Sequence, residues 1–586
     1  MGRHPPEADP YKKRILLPNV KYRQLNCPPI GGVRLKSPVV ALRIGAVIAI
    51  VVSIIGLALA SKPSSVPQTR AISNNLPLTD LNPLGANFFL EKEVEDWKKE
   101  ETLRMAQEAG IGWAKVHFTW EEIEPKKGYF WDDKYKKSTW QKYDQIVDLA
   151  EKYGLRVIAR LDRPPVWSRK DNRYATAPPD NFQDYGDFVE AVVSRYKGRV
   201  QFYQIWNEPN IWPEWGDRAV DPAGYVEMLK IAHQRAKKAD SNVVILSAPL
   251  ATTMERTERN LSEVDYLEGM YKAGAKTYFD VLAANAYGFD RPPDDPPSLE
   301  ALNFRRVELV REIMVRNGDE GKPVWLNEFG WNASPADFPP DSLFWRRVSE
   351  QDQAKYTTDA IKLTRSWGWV GVINIWYFRQ VGDIPITRSD YFFRMVDLDF
   401  TPRPVYYQVK ELSKEFKVSG VGAYQEMNGA VQSQGNWSVK LDPSAQGGVA
   451  LSAMEEGQRV TFKFKGTQVS LVTQSGPNKG GFRVLIDGKD PNLESKDKDG
   501  SYVEVPPGPD GDSITLNLAS GIGAGEHTLE LITFKGPNSS NAGEWLIDAF
   551  VVDNSPTFTM FWIFGVLAAL GVLGLGLSLV ILRRRA

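Results

Sequence analysis

Cysteine is almost missing from this 586-residue chain, which holds one, Cys27. A single thiol excludes any intrachain disulfide, so the folded parts must be held together by buried area. Histidine is scarce as well: His4, His117, His233 and His527 are too scattered to read as a metal-binding cluster. Net charge is close to nil, at −1, which removes any overall bias toward nucleic acid or acidic partners. No glycine-rich phosphate loop follows the first expected strand, an argument against a doubly wound nucleotide-binding sheet.

The average hides local extremes. Residues 1–43 carry nine Lys/Arg against Glu7 and Asp9, a charge of +7. An uncharged apolar run at 44–60, extended upstream over 39–42, follows this tail, and a second at 558–582 ends in Arg583, Arg584 and Arg585. Each is long enough to cross roughly 30 Å of hydrocarbon, so transmembrane helices are expected at 39–60 and 558–582. A signal peptide is the rival for the first, but its basic region is long and no small-x-small cleavage site stands out. The basic flanks put both termini in the cytoplasm and 61–557 outside the cell, an expected location at the cell membrane. Residues 61–80, rich in Ser, Pro and Asn, read as a linker.

From residue 81 the pattern changes to short apolar strands alternating with amphipathic stretches. Strands are expected at 84–89, 113–118, 156–161, 201–206, 243–247, 281–285, 324–327 and 372–376. Helices are expected between them, at 140–153, 182–196, 223–239, 299–317 and 351–367 among others. Eight such units over 81–418 predict an α/β fold, a (β/α)₈ barrel. From 419 to 555 alternating runs separated by Gly, Pro and Asp turns predict an all-β sandwich.

Two Asn-Glu pairs stand where strands of this barrel end. One is in IWNEPN (205–210), closing strand 4, and the other in WLNEFGW (325–331), closing strand 7. Active sites of this fold lie at that face. Pro209 is expected to hold Glu208 extended, and strict alternation would send Asn207 and Glu208 to opposite faces, so an irregular strand end is expected there. Two carboxylates facing one cleft can divide acid and nucleophile work.

These segments resemble the signatures of retaining glycoside hydrolases of clan A, in particular the β-xylosidase-like and cellulase-like families 39 and 5. The stretches 120–132, 160–168 and 395–409 agree, and the resemblance covers roughly 81–417. It implies Glu208 as general acid/base, Glu328 as nucleophile, Asn207 on the sugar 2-hydroxyl and Tyr287 on the nucleophile's carboxylate. It also implies Trp376 as a sugar platform beside a non-proline cis peptide, and a reaction without metal or cofactor. This chain departs from the clan in two places: Lys115 and His117 stand where strand 2 often has Arg, and Asn285 begins a strand-6 triplet that often begins with His. Fifteen of the eighteen tryptophans lie between Trp97 and Trp376; Trp212, Trp215 and Trp331 directly follow the catalytic loops and are candidate subsite walls. The all-β stretch is similar to modules appended to carbohydrate-active enzymes, with Trp437 and Tyr502 as candidate exposed contacts; a plain spacer is the rival.

The function expected is hydrolysis of O-glycosidic bonds in an oligo- or polysaccharide by an outward-facing, membrane-anchored enzyme. A catalytically silent glycan receptor or adhesin, and a transglycosylase on the same residues, are the alternatives.

Overall fold

The computed structural model describes residues 38–60, 76–539, 541–554 and 558–583. The basic tail with Cys27, and residues 61–75 of the expected linker, lie outside them. Eight parallel strands follow one another in the first large region: β1 (Leu84–Phe88), β2 (Trp113–Thr119), β3 (Arg156–Asp162), β4 (Phe202–Ile205), β5 (Val244–Leu246), β6 (Leu282–Tyr287), β7 (Val324–Gly330) and β8 (Val370–Ile375). Their order in the sheet is β5-β4-β3-β2-β1-β8-β7-β6. The remaining seam, β5 to β6, is joined by a parallel bridge, Leu246 to Val281, and by the Ser247 N–H donating to the Val281 carbonyl at 3.1 Å. The result is a nearly closed barrel of the predicted kind.

Local chemistry explains the alternation. Strands such as β7 and β8 are buried on both faces, as a parallel strand under helices must be. Side-chain caps start several of the helices: Asn181 accepts from the Gln183 N–H, Ser262 from Asp265 and Ser349 from Asp352. The helix predicted at 299–317 begins only at Arg306. Asn303 binds Asp295 and the Pro296 carbonyl, and Arg306 reaches the carbonyls of Ser298 and Ala301, so those side chains hold the preceding residues as a loop.

The barrel floor, at the N-terminal ends of the strands, is an aromatic plug. Trp113, Phe202 and Trp325 lie within 5.3 Å of one another, centroid to centroid. Gly371 makes room for it, because a Cβ there would sit 2.2 Å from the Trp325 indole nitrogen. Leu78, Leu81, Val244, Val281 and Val372 complete the cluster, joined by Met427, Val439 and Val449 from beyond the barrel.

Those last three belong to an all-β region of antiparallel sheets, one of four strands, one of six and one of three. Its core is aromatic and branched, with Phe462 stacked on Phe550 at 4.6 Å and packed with Leu471, Phe482, Leu531 and Trp545. Four strands here, Gly422–Gln425, Val431–Gln434, Trp437–Leu441 and Val449–Ala453, precede Arg459–Lys465, the first run of regular alternation that the sequence offers in this stretch. Gln201 on the barrel and Val439 exchange two hydrogen bonds, at 2.7 and 2.8 Å. Asp80 accepts from the Gln425 N–H and from Asn428, so residues 76–80 are packed structure rather than the linker expected there.

Helices also form at Pro38–Ala60 and Phe558–Arg583, in a compact unit separate from the barrel and its module. Side chains are described for only part of each. Among the described residues no helix is long and apolar enough to cross a membrane, so the two expected spans are not supported there. Within this unit Arg43 Nε donates to Ser578 Oγ at 3.1 Å, and Gly571 lies against Ala46 and Ile50, an antiparallel pairing.

Candidate active site

The chain leaves β4 through two residues in the left-handed region, Trp206 at φ 73° and Glu208 at φ 41°. Pro209 therefore does not keep Glu208 extended as expected; the left-handed turn replaces the extended conformation. That backbone costs on the order of 1–3 kcal/mol per residue and breaks strand alternation, so the irregular strand end is present. The Glu208 N–H is fixed on the Pro249 carbonyl at 3.0 Å. The preceding Asn207 is buried, with Gln204 Nε2 at 3.5 Å from its Oδ1.

Glu328 lies within β7 and is almost fully enclosed. Both of its oxygens are held. Lys115 Nζ, from β2, donates to Oε1 at 3.0 Å, and the Tyr287 hydroxyl, from the end of β6, donates to Oε2 at 2.9 Å. Asn285 links the two carboxyls: it is in register with Glu328 across a β6–β7 bulge, and its Nδ2 donates to Glu208 Oε1 at 2.7 Å.

The two acids differ electrostatically. Burial, the facing Glu328 and nearby Glu214 push Glu208 up to about 8, while Asn285 opposes the rise. Burial pulls Lys115 down to about 8 although Glu328 favours its charge. Tyr287 is pushed well above the phenol range, first by burial and then by the two glutamates, so it stays a donor. Glu208 thus keeps a proton at neutral pH, next to a carboxyl clamped by a cation and a phenol.

The other expected contacts divide. His117 does not touch the two glutamates but pairs with Asp162 at the end of β3; burial pulls its imidazole down to about 3, so it is neutral. Trp376 follows β8, is partly exposed, and its peptide bond to Tyr377 is cis. Trp212 is 43% exposed beside Tyr174, free to meet a ligand. Trp215 and Trp331 are buried; the Trp331 indole donates to the Arg291 carbonyl at 2.7 Å, so neither is a subsite wall. Trp437 and Tyr502 are also buried, at 8% and 9%, rather than exposed as expected.

Three groups escaped the sequence reading. Arg160 and Asp162 on β3 bond each other at 2.6 Å, and burial works against the Arg160 charge while Asp162, Glu214 and Glu328 more than offset it. Glu214, in the loop after Glu208, is pushed up to about 7, chiefly by burial. Trp345 packs on Tyr287 at 4.8 Å and on Phe393 at 5.1 Å. The i, i+2 spacing of Arg160 and Asp162 matches that of Lys115 and His117 and was the available signal. A lone Glu or Trp in a loop carries none.

A carboxyl pair at the C-terminal face of a parallel barrel, one clamped and one proton-retaining, is a site built for acid–base and nucleophilic work on one bond. Residues 79–248 match the family model for cellulase (glycosyl hydrolase family 5), so this segment carries a glycoside hydrolase domain. The match runs from just before β1 through β5 and includes Glu208. Solved structures similar to the chain include a family 39 glycoside hydrolase from Bacteroides cellulosilyticus WH2, at 18% identity over 79% of this chain and 82% of that one, TM-score 0.45. Another is a monomeric β-xylosidase from Caulobacter crescentus CB15, at 15% identity over 78% and 97%, TM-score 0.43. No curated protein matches the chain in sequence.

Proposed function

We propose that this chain is a retaining glycoside hydrolase that cleaves O-glycosidic bonds by double displacement, with Glu328 as nucleophile and Glu208 as acid/base. The observation that carries the reading is the unequal treatment of the two carboxyls. Glu328 has both oxygens fixed by Lys115 and Tyr287, aimed and charge-balanced for attack on an anomeric carbon. Glu208, pushed up to about 8, holds a proton to give to the leaving oxygen. As the bond from Glu328 to the anomeric carbon forms, the glycosidic C–O bond breaks and the leaving oxygen departs with that proton, giving the glycosyl–Glu328 ester. Glu208, now ionised, takes a proton from water, and water breaks the ester with a second inversion, so configuration is retained. Asn207 would bind the 2-hydroxyl and Trp376 the sugar face, with Trp212 further along the cleft. Anomeric configuration of the first product, followed by proton NMR on an aryl glycoside, tests this. A retained anomer is expected, an inverted one removes the mechanism, and binding without cleavage across a broad panel favours a glycan receptor.

We infer a membrane location for the same enzyme, with the barrel outside the cell. The +7 tail, the two apolar segments and the antiparallel pairing of their helices support it. Carbonate extraction with protease protection of intact cells tests the placement; release of the chain by carbonate overturns it.

A further inference from the structure

Residues 335–349, in the connection from β7 to the helix Glu350–Arg365, are mostly exposed. Trp345 breaks that pattern. Phe344 on one side of it is 81% exposed and Arg346 on the other is exposed as well. The Trp345 ring instead packs against three others: Tyr287 at 4.8 Å, Phe393 at 5.1 Å and Phe289 at 5.8 Å. Tyr287 and Phe393 are themselves 5.6 Å apart, so the phenol is one corner of a triangle of rings. Two ties seat the loop there: the Phe344 N–H donates to Ser389 Oγ at 3.1 Å, and Arg346 pairs with Asp290 at 3.2 Å. The backbone beside Tyr287 is fixed too. The Gly288 N–H donates to the Gly330 carbonyl at 3.2 Å, and a Cβ on Gly288 would strike the Trp331 indole. What remains free is the swing of the phenol ring, and the hydroxyl at its far end is the group that holds Glu328 Oε2 at 2.9 Å. A catalytic group is placed only as well as the side chains around its partners allow.

We propose that Trp345 is a positioning residue for the nucleophile: packed on Tyr287, it keeps the phenol hydroxyl on Glu328, so that seating of the 335–349 loop completes the support of that carboxyl. The inference rests on Glu328 being the nucleophile. Its effect passes through one hydrogen bond, that from Tyr287. A ring that only packed would lower stability whatever Tyr287 carried; a ring that positions must lose its influence once Tyr287 has no hydroxyl.

A double-mutant cycle on kcat for an aryl glycoside, with each variant's melting temperature measured alongside, tests this. Trp345→Ala should lower kcat about 10–100-fold and change KM by less than about three-fold, the mark of misplacement in the transition state rather than of lost binding. Trp345→Phe should recover most of that loss. Tyr287→Phe should cost a similar factor, and the double variant should be no slower than Tyr287→Phe alone, within about two-fold. Arg346→Ala loosens the loop at an exposed ion pair that contributes little to stability; it should lower kcat about two- to five-fold in the wild type and not at all in Trp345→Ala. Losses that multiply in the double variant, a Trp345→Ala kcat within about two-fold of the wild type, or a change in KM alone overturn the proposal. A wild type without turnover across a broad panel removes Glu328 as nucleophile and this inference with it, whereas an active wild type with multiplying losses removes the inference alone.

Discussion

The two ends of the barrel follow opposite rules. At the floor, Trp113, Phe202 and Trp325 fill the bore, and both indole nitrogens there are satisfied, by the Asn82 carbonyl at 2.7 Å and the Leu78 carbonyl at 3.0 Å. At the rim the same strands carry Lys115, Arg160, Asp162, Asn285 and Glu328, buried groups that cost free energy to bring together. The floor maximises apolar burial; the rim gives some of that up for a field that separates the behaviour of two carboxyls. Stability should therefore be concentrated at one end and chemistry at the other.

Substitutions at the two ends put that division to work. Glu328→Gln should lower turnover by on the order of 10⁴-fold or more, because it removes the proposed nucleophile, and should lower the melting temperature modestly, because Lys115 is left buried without its carboxylate partner. Near-normal turnover on aryl glycosides would erase the division. Trp325→Ala is the mirror experiment: a loss of about 3–5 kcal/mol in denaturant unfolding, with turnover per folded molecule unchanged. A matching fall in turnover would mean that the floor shapes the cleft. Lys115→Met blurs the boundary usefully, since it leaves Glu328 held by Tyr287 alone; turnover should fall about 10–100-fold and stability should fall too.

The smaller effects concern pH. In the proposed mechanism Glu208 must be protonated to act as acid, so kcat/KM should decline on the alkaline side near its value of about 8. Glu214 raises Glu208, so Glu214→Gln should move that alkaline limb to lower pH; a limb that stays put would remove Glu214 from the site's field. Glu91, just beyond β1, offers the stability counterpart. Burial pushes it up to about 8 and both its carboxyl oxygens lack partners. Its folded value is raised, so the native state holds its proton while the unfolded chain loses it. Stability from this group is complete below pH ~4.3, the ordinary glutamate value, and is lost as pH rises through about 8. Glu91→Gln should flatten that decline in urea-unfolding curves measured across this window.

Most of the barrel was legible because apolar runs and capped amphipathic helices report burial directly. All eight strands lie where the alternation placed them, and the Asn-Glu pairs mark β4 and β7. What the sequence concealed is tertiary. The left-handed Glu208 depends on backbone contacts such as that with Pro249, which no local rule contains. The late start at Arg306 comes from side chains reaching back to loop carbonyls, which outweigh helical periodicity. Trp331 and Trp437 carry the same letter as Trp212, and only packing separates a buried indole from a presented one. Of the early module strands, Gly422–Gln425 and Val431–Gln434 are short and largely polar and Val449–Ala453 is buried at every position, so these three lack a clear two-residue period.

The exchange between Gln201 and Val439 bears on where this molecule can be cut. Val439, Val449 and Met427 close the floor cluster, and Asp80 ties the segment ahead of β1 to Gln425 and Asn428. A catalytic fragment ending near residue 418 would expose an apolar disc, leave the Gln201 amide without Val439, and leave Asp80 with Arg365 alone. The smallest unit worth expressing runs from about residue 76 through the last module strand, Ala549–Asp553; a shorter piece is a recipe for aggregation rather than a minimal enzyme.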